Sequence, residues 1–370
     1  MGTSDGSVIG ITKVVDHGDP ALRWNLVILG DGYQAAQLTQ FRNDVQNFVD
    51  VMYQTPPYDE LWCGINIYRI DVTSTDSGAD DPAACGGTGA TARTYFDASF
   101  CNNNIRRLLE VNTTTVHNVV NAQLPQASMI MVIVNSAVYG GSGGSVATFS
   151  LAPSAQEIGL HEMGHTAFGF ADEYEYYAGC GVDPPGTHDN YTGSEPGQPN
   201  ITKDSGRTTI KWHDLVLAAT PMPTTSNSNC AQCDPQANPQ LPSTIGAYEG
   251  AGYYHCGLYR PQFTCRMRAL GNPYCAVCQR VIRETIGPHM QSWTWGTATI
   301  AAGQTQRWWL WWPTYPGFEV IGVQAMTPGE ELDFGVPGFQ RNADGSGTMT
   351  ITISNPTAAT VAFHFRGTQL

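Results

Sequence analysis

The chain has 370 residues, of which 41% are hydrophobic, and its formal net charge is −14 at pH 7. This length and apolar content predict a folded globular protein with room for one large domain or two smaller ones. Lysine occurs only at positions 13, 203 and 211. The sequence therefore lacks a phosphate-neutralising patch, and we expect neither nucleic acid nor an anionic membrane as a partner.

The cysteines are even in number, and many lie in segments rich in glycine, proline and asparagine. This pattern favours disulfides and an oxidising compartment. The alternative is a structural zinc site built from two C-x-x-C pairs, although the gap between the pairs is longer than in a compact zinc ribbon. The pairs are Cys230/Cys233 and Cys275/Cys278, and the other cysteines are at positions 63, 85, 101, 180, 256 and 265.

Residues 1–7 are polar and do not form the apolar core of a secretion signal. Combined with the predicted disulfides, this favours the mature form of a secreted, extracellular protein that begins at a new start methionine. No apolar run is long enough for a membrane span. We expect a monomer.

Apolar periodicity predicts a strand–helix–strand unit in the first part of the chain. Residues 22–30 form the first strand, residues 34–53 the helix and residues 65–72 the second strand. A crossover helix of this length joins parallel strands. The apolar run at residues 129–135 predicts a central strand, and helices are predicted at residues 104–110 and 116–124.

An acidic loop at residues 73–91 follows the second strand. Asp76, Asp80 and Asp81 offer carboxylates for Ca²⁺, although their spacing is not that of an EF-hand. The alternative is an ordinary solvated loop.

A glycine-rich segment at residues 139–145 leads into a short predicted strand at residues 145–149. It lacks the lysine of a P-loop. An unpaired edge there can bind an extended peptide by strand addition, which makes Ser145, Val146 and Ala147 candidate substrate-binding residues. The alternative is a glycine-rich hairpin without a binding role.

The motif H-E-x-x-H occurs next, as His161, Glu162 and His165. Residues four apart lie on one face of a helix, so both imidazoles can bind one zinc ion. Glu162 can then act as a general base on water bound to that zinc. The alternative is an amphipathic helix with two hydrogen-bonded histidines.

The bounds of this helix follow from its flanking residues. Ser154 is the predicted N-cap, with Glu157 completing a capping box, and Gly169 is the predicted residue that ends the helix. The segment resembles that of metzincin-type metallopeptidases, in which the third ligand follows the glycine by three residues. This spacing indicates Asp172, with Glu173 as the alternative, and whichever acid is not a ligand is expected to orient a ligand histidine.

The C-terminal part of the chain has a different pattern. After an irregular segment at residues 175–254 and a predicted helix at residues 276–286, short β-type runs alternate with turns from residue 292 onwards. We expect a small all-β sandwich domain at residues 291–370, following a catalytic domain at residues 1–290. The aromatic run at residues 308–312 should alternate between the two faces of a strand.

Several segments together give the chain a family resemblance. They are LVILGDGY at residues 26–33, YGGSGG at 139–144, HEMGHTAFGFADEY at 161–174, YRP at 259–261, CRMR at 265–268 and YCAVC at 274–278. Across about residues 20–290 the chain resembles the IgA-peptidase family of secreted bacterial zinc metallopeptidases. The resemblance implies an α/β (α+β) metzincin-like catalytic domain with a twisted mixed sheet and a zinc helix.

The resemblance also implies roles for later residues. Met267 corresponds to the Met-turn residue, an apolar floor beneath the zinc site. Metzincins often carry a tyrosine two residues after that methionine, but here the position is Ala269. Tyr254 and Tyr259 are the nearby candidates for contact with the substrate.

The predicted function is that of a secreted zinc-dependent endopeptidase. Its substrate would be a protein or peptide, and the family name suggests an immunoglobulin or another host glycoprotein. The alternative is a non-catalytic adhesion module that binds glycan or protein on a metallopeptidase-like scaffold.

Overall fold

A computed structural model describes residues 5–177, 179–290, 292–312, 319–327 and 329–369 of the protein, which has a mixed α+β structure. The chain divides into two compact units. The first consists of the residues up to Asp16 together with Trp24–Leu61 and Ile65–Gly287. The second consists of His17–Arg23, Trp62–Gly64 and the residues from Pro288 onwards.

The helices and strands of the first unit are, in chain order, β1 (Gly6–Val15), β2 (Trp24–Asp31), α1 (Leu38–Tyr53), α2 (Tyr58–Leu61), β3 (Ile65–Ser74), α3 (Thr113–Gln123), β4 (Met129–Val134), β5 (Gly141–Ser142), β6 (Ala147–Ser150), α4 (Ala155–Phe168), β7 (Tyr248–Ala251), β8 (Tyr254–Arg260) and α5 (Ala276–Ile286).

A six-stranded mixed sheet with the order β1-β3-β2-β4-β6-β5 forms the centre of this unit. Strands β3, β2, β4 and β6 are parallel, whereas β1 and β5 run antiparallel to their neighbours. The predicted parallel pair and the central strand are thus confirmed. All residues of β2 are buried, because helices cover both faces of the sheet.

Helix α4 lies close to the sheet and to α1. An added Cβ atom at Gly159 would be 2.8 Å from Phe48 Cε2 of α1 and 2.9 Å from Phe149 Cε1 of β6. The rings of Phe48 and Phe149 pack with their centroids 5.4 Å apart. Because glycine has no side chain, Gly159 allows the helix to lie this close to the sheet and to α1.

The predicted helix at residues 104–110 is wrong. Cys101, Asn103 and Asn104 have positive φ angles, which a regular helix does not accommodate. The chain then pairs with other segments through Leu108 with Gly141 and Glu110 with Ser99. Tertiary pairing therefore overrides the local helix propensity.

Residues 145–149 were predicted to form a strand with an unpaired edge, and the structure differs from this prediction. Ala147–Ser150 form β6, which pairs with β4 on one side and β5 on the other, so this strand is not an edge. Strand β5 is the last in the sheet. Its Gly141 N–H donates to the Arg107 carbonyl at 3.1 Å, and its carbonyl accepts from Leu109 N–H at 3.4 Å. The predicted free edge is therefore absent at these described residues.

Disulfides are confirmed for six cysteines. The pairs are Cys85–Cys101, Cys180–Cys233 and Cys230–Cys256. Cys230 and Cys233 therefore pair with other cysteines and do not join the second C-x-x-C pair in a zinc ribbon. The remaining cysteines, Cys63, Cys265, Cys275 and Cys278, are buried thiols.

The acidic loop does not gather its carboxylates around a cation site. Asp76 pairs with Arg93 at 2.8 Å, Asp80 accepts from Ala92 N–H at 2.8 Å, and Asp81 pairs with Arg106 at 2.7 Å. Each acid thus has a separate partner within the described part of the chain.

The second unit contains β9 (Ser292–Ile300), β10 (Thr305–Trp312), β11 (Glu319–Ala325), β12 (Asp333–Phe334), β13 (Gly338–Arg341), β14 (Gly347–Ser354) and β15 (Val361–Gln369). One sheet has the order β11-β15-β9, and the other has the order β10-β14-β12 with β13 also paired to β14. Residues of both sheets, including Ile351 and Phe363, share one apolar core.

The alternation predicted for the aromatic run in β10 is confirmed for the residues whose side chains are described. Trp308 packs against Phe363 and Phe365 of the core. Trp309 and Trp311 face outward and are each 63% exposed. None of the described helices has both the length and the hydropathy that a membrane span requires.

Replacing Gly159 by alanine tests the close contact of α4. Alanine is favoured in helices by about 1 kcal/mol over glycine. We nevertheless expect Gly159→Ala to lower the free energy of unfolding by about 1–2 kcal/mol, because the methyl group must displace Phe48 and Phe149. Gly287→Ala is the control, since Gly287 is helical and nothing lies near its added Cβ atom. Equal urea midpoints for the two variants would contradict this account.

Candidate metal centre and active-site cleft

Helix α4 carries His161, Glu162 and His165 on its last turns. Gly169 ends the helix at φ +65°, in the left-handed region that glycine adopts without strain. Gly169 N–H donates to the His165 carbonyl, and Phe170 N–H donates to the Gly164 carbonyl, both at 3.1 Å. The predicted end of the helix is confirmed, and the chain turns back beneath the two histidines.

The start of the helix differs from the prediction. Ser154 has φ +68° and makes no capping hydrogen bond through its side chain. Glu157 instead forms an ion pair with Arg266 and accepts from Gly271 N–H at 3.1 Å. The capping box is replaced by a link between α4 and the segment that contains Met267.

Three candidate ligand atoms, two from α4 and one from the segment that follows it, lie close together. His161 Nε2 lies 3.0 Å from Asp172 Oδ1 and 3.1 Å from His165 Nε2, and His165 Nε2 lies 3.3 Å from Asp172 Oδ1. Ligand atoms about 2.0 Å from a tetrahedral zinc ion are separated by roughly 3.3 Å. The triangle therefore has the size of one face of such a site.

The Nδ1 contacts of His161 and His165 determine the tautomer of each ring. His161 Nδ1 lies 3.0 Å from the Arg266 carbonyl oxygen, and His165 Nδ1 lies 2.7 Å from that of Phe170. A carbonyl only accepts, so both Nδ1 atoms donate, and the neutral rings have lone pairs at Nε2. Burial alone lowers the pKa of both imidazoles, but the Asp172 carboxylate outweighs this effect and raises it, so a positive charge at Nε2 is stabilised beside this carboxylate. A zinc ion bound to both Nε2 atoms would supply that charge, so the donor set fits zinc.

Asp172 is held from its other side by the hairpin of β7 and β8. Tyr253 donates its hydroxyl hydrogen to Asp172 Oδ2 at 2.5 Å, and Gly252 N–H donates to the Asp172 carbonyl at 2.9 Å. Burial alone raises the pKa of Asp172, but hydrogen bonds from the two imidazoles, and their positive charge when protonated, outweigh this effect and lower it. The carboxylate is therefore ionised and fixed in orientation.

Glu173 and Met267 lie on the other side of this segment. Glu173 is fully buried near Cys278, with 3.6 Å between its Oε1 and the cysteine Sγ, and it is not part of the histidine cluster. Met267 is also fully buried. An added Cβ atom on Gly164 of α4 would lie 2.6 Å from Met267 Sδ, so the methionine packs directly under the helix.

Glu162 borders an open cleft rather than the protein core. An added Cβ atom on Gly141 of β5 would lie 2.9 Å from Glu162 Oε1, so the carboxylate fits against a position without a side chain. Burial raises the pKa of Glu162, while His161 and His165 act in the opposite direction. The net effect raises the pKa of Glu162 above its ordinary value, so this carboxyl group binds a proton more readily than an exposed one does.

Three adjoining cavities of about 340, 360 and 460 Å³ meet at these residues. Glu162 and His161 border the first and third cavities, whereas His165 and Asp172 border the first and second. The cleft therefore continues past the candidate ligands on both sides.

Arg107 and Tyr174 supply polar groups to the wall of the cleft. Both border the cavities that contain Glu162. Burial alone lowers the pKa of Arg107, but Tyr174, which is hydrogen-bonded to it, and the Asp172 carboxylate raise the pKa above its ordinary value. A cationic guanidinium thus faces the same space as Glu162.

The predicted substrate-binding residues are distributed differently. Val146 and Ala147 are buried, and Ser145 is exposed in the turn that precedes β6. The Tyr254 ring packs against His188 and Tyr191. The backbone of Tyr259 pairs with Thr202. None of the five lies among the described residues that line the three cavities.

Arg107, Tyr174 and Tyr253 were not among the residues predicted from sequence. Tyr174 ends the D-E-Y tail of the H-E-x-x-H segment, which is a local sequence signal, and Tyr253 directly precedes the predicted Tyr254. Arg107 had no local signal, because its place at the cleft depends on the pairing of residues 107–109 with Gly141, which is distant in sequence.

The comparison with known families accounts for most of the first unit. The family model described as IgA Peptidase M64 matches residues 12–233 and 235–286. No curated protein matches the chain. A metallopeptidase family implies a metal cofactor and a protein or peptide substrate, in agreement with the clustered histidines and carboxylate. The chain belongs to the IgA Peptidase M64 family.

Proposed function

We propose that this chain is a secreted zinc-dependent endopeptidase with Glu162 as its general base. The observation that carries the proposal is the triangle of His161 Nε2, His165 Nε2 and Asp172 Oδ1, with sides of 3.0, 3.1 and 3.3 Å, beside an ionisable carboxyl group in an open cleft. The three disulfides support an extracellular location.

The proposed ligands are His161, His165 and Asp172. When bound, zinc acts as a Lewis acid on a carbonyl oxygen and lowers the pKa of water. Glu162 accepts the proton of the attacking water and then donates it to the leaving amine. Met267 supplies an apolar floor under α4.

Architecture also supports the metzincin-like classification. The features that support it are the H-E-x-x-H helix, the glycine that ends it, the carboxylate three residues later and the buried methionine. In the second unit, two antiparallel sheets with one apolar core support the predicted β-sandwich.

We assign substrate contacts to Arg107, Tyr174 and the open ends of the cleft, in place of Tyr254, Tyr259 and residues 145–147. A cation close to Glu162 is suited to the negative charge that develops on the carbonyl oxygen of the scissile bond. An open cleft supports cleavage within a chain, since neither end of the substrate has to be enclosed.

Glu162→Gln tests the proposed chemistry. The amide is nearly isosteric but cannot take a proton, so we expect turnover of a generic protein substrate such as casein to fall by at least about 10²-fold. Zinc content should be unchanged. The control is Glu284→Gln on the exposed side of α5. A variant at position 162 that cleaves as fast as the parent would contradict the role of Glu162, and a zinc-loaded parent without hydrolytic activity would favour the adhesion alternative.

Tyr253→Phe tests how Asp172 is held. Loss of the hydroxyl removes the hydrogen bond to Asp172 Oδ2, and we expect zinc affinity to fall by about 10–100-fold. The measurement is competition with a chelator of known affinity. Tyr254→Phe is the matched control and should bind zinc like the parent. The account of Tyr253 is wrong if the two variants bind zinc equally well.

Arg107→Ala tests the proposed contact with the developing oxyanion. We expect kcat to fall by about 10²–10³-fold with zinc content unchanged, as for the loss of one oxyanion donor. Arg106→Ala is the matched control, because Arg106 pairs with Asp81 and lies over the Phe100 ring. An effect on KM alone would indicate substrate binding without a catalytic contribution.

A further inference from the structure

A second cluster of possible metal ligands lies in the core of the first unit. Cys265, Cys275, Cys278 and Glu173 each direct one ligand atom into it, and these atoms lie within 4.8 Å of one another. All four residues are at most 1% exposed. No role in the proposed peptide hydrolysis requires them.

The spacing within this cysteine–glutamate cluster fits a tetrahedral zinc site. Cys265 Sγ lies 3.9 Å from Cys278 Sγ, and Cys278 Sγ lies 3.6 Å from Glu173 Oε1. Zn–S bonds of about 2.3 Å and Zn–O bonds of about 2.0 Å separate sulfurs by roughly 3.8 Å and sulfur from oxygen by roughly 3.5 Å. Both observed distances therefore agree with ligands of one ion.

Backbone geometry directs the sulfurs inward. Cys275 is the N-cap of α5, and its Sγ accepts from Cys278 N–H at 3.4 Å. Cys265 Sγ accepts from Cys275 N–H at 3.2 Å. Hydrogen bonds from N–H groups at the start of a helix stabilise a thiolate, which is the form that binds metal.

An unpartnered polar atom points to the same site. Glu173 Oε1 accepts from Asn200 Nδ2 at 3.0 Å, whereas Oε2 has no hydrogen-bond partner although the side chain is fully buried. Arg260 is the buried cation nearby, but its Nη1 donates to the carbonyls of Glu249 and Gly250 and its Nε to that of Phe263. A divalent ion would compensate the buried carboxylate.

A disulfide does not account for this cluster. The described disulfides use six other cysteines. A bond between any two of these three would leave the third as a buried thiol beside Glu173. The 3.9 Å separation of Cys265 Sγ and Cys278 Sγ is also far longer than the roughly 2.05 Å of a disulfide.

We propose that Cys265, Cys275, Cys278 and Glu173 bind a second zinc ion with a structural role. Four protein ligands in a fully buried site leave no open coordination position, which is typical of structural rather than catalytic zinc. Thiolates favour zinc over calcium or magnesium.

The second zinc would hold the segments that form the catalytic centre. Glu173 follows Asp172 directly, and its N–H donates to the Met267 carbonyl at 2.8 Å. Cys265 lies two residues before Met267. The two acids of the D-E-Y tail thus serve different ions, and the structural ion fixes the backbone on which Asp172 and Met267 lie.

The test is the zinc content of the intact chain and of His161→Ala/His165→Ala, measured by elemental analysis after dialysis against metal-free buffer. We expect two zinc ions per chain in the parent and one in the variant. X-ray absorption of the variant should show sulfur ligands at about 2.3 Å. A folded variant without zinc, or with zinc that has no sulfur ligands, would overturn the second site and leave the proposed peptidase function standing.

Thiol counting and further variants make the test independent of folding in any one mutant. After denaturation in chelator, four free thiols are expected, and two would indicate a disulfide within the cluster and refute the proposal. Glu173→Gln should weaken retention of the sulfur-bound zinc, whereas Cys63→Ser should keep both ions. A parent with only sulfur-bound zinc would instead contradict the peptidase proposal and support the structural site.

Discussion

The reversal of the backbone at Gly169 is the constraint on which the candidate metal centre depends. Two histidines on one helical face offer two candidate ligands, and a third candidate has to come from beyond the helix. The left-handed conformation of Gly169 turns the chain so that Asp172 Oδ1 comes within 3.3 Å of both Nε2 atoms. Tyr253 then fixes the carboxylate from the outside, and Met267 fills the space under Gly164.

The segment that follows this reversal contributes to two clusters, one that borders the cleft and one that is buried in the core. The histidine cluster borders a cleft that continues on both sides, which suits the proposed reaction with a large substrate. The cysteine–glutamate cluster is buried in the core, where the proposed structural ion would not meet substrate. Adjacent residues, Asp172 and Glu173, face these two environments, so a small shift of this segment would affect both.

Features that depend on nearby residues could be predicted from the sequence, whereas features that depend on contacts between distant segments could not. Nearby residues predict the strands β2 and β4 and the helices α1 and α5 from their apolar pattern. They also predict that α4 ends before Gly169. By contrast, the capping box at Ser154 gives way to a pairing of Glu157 with Arg266, 109 positions away. Arg107 and the four-residue cysteine–glutamate cluster likewise exist only because pairing across the fold brings them together. The sequence alone identified Asp172 and Glu173 as rivals but not their separate surroundings.

Anomalous diffraction at the zinc absorption edge, from crystals of the purified chain, tests the central claim most directly. The account predicts a peak about 2.0 Å from His161 Nε2, His165 Nε2 and Asp172 Oδ1, with Glu162 adjacent but not bound. Metal held by Glu173 in place of Asp172, or no peak at the two histidines in crystals that contain zinc elsewhere, would contradict it.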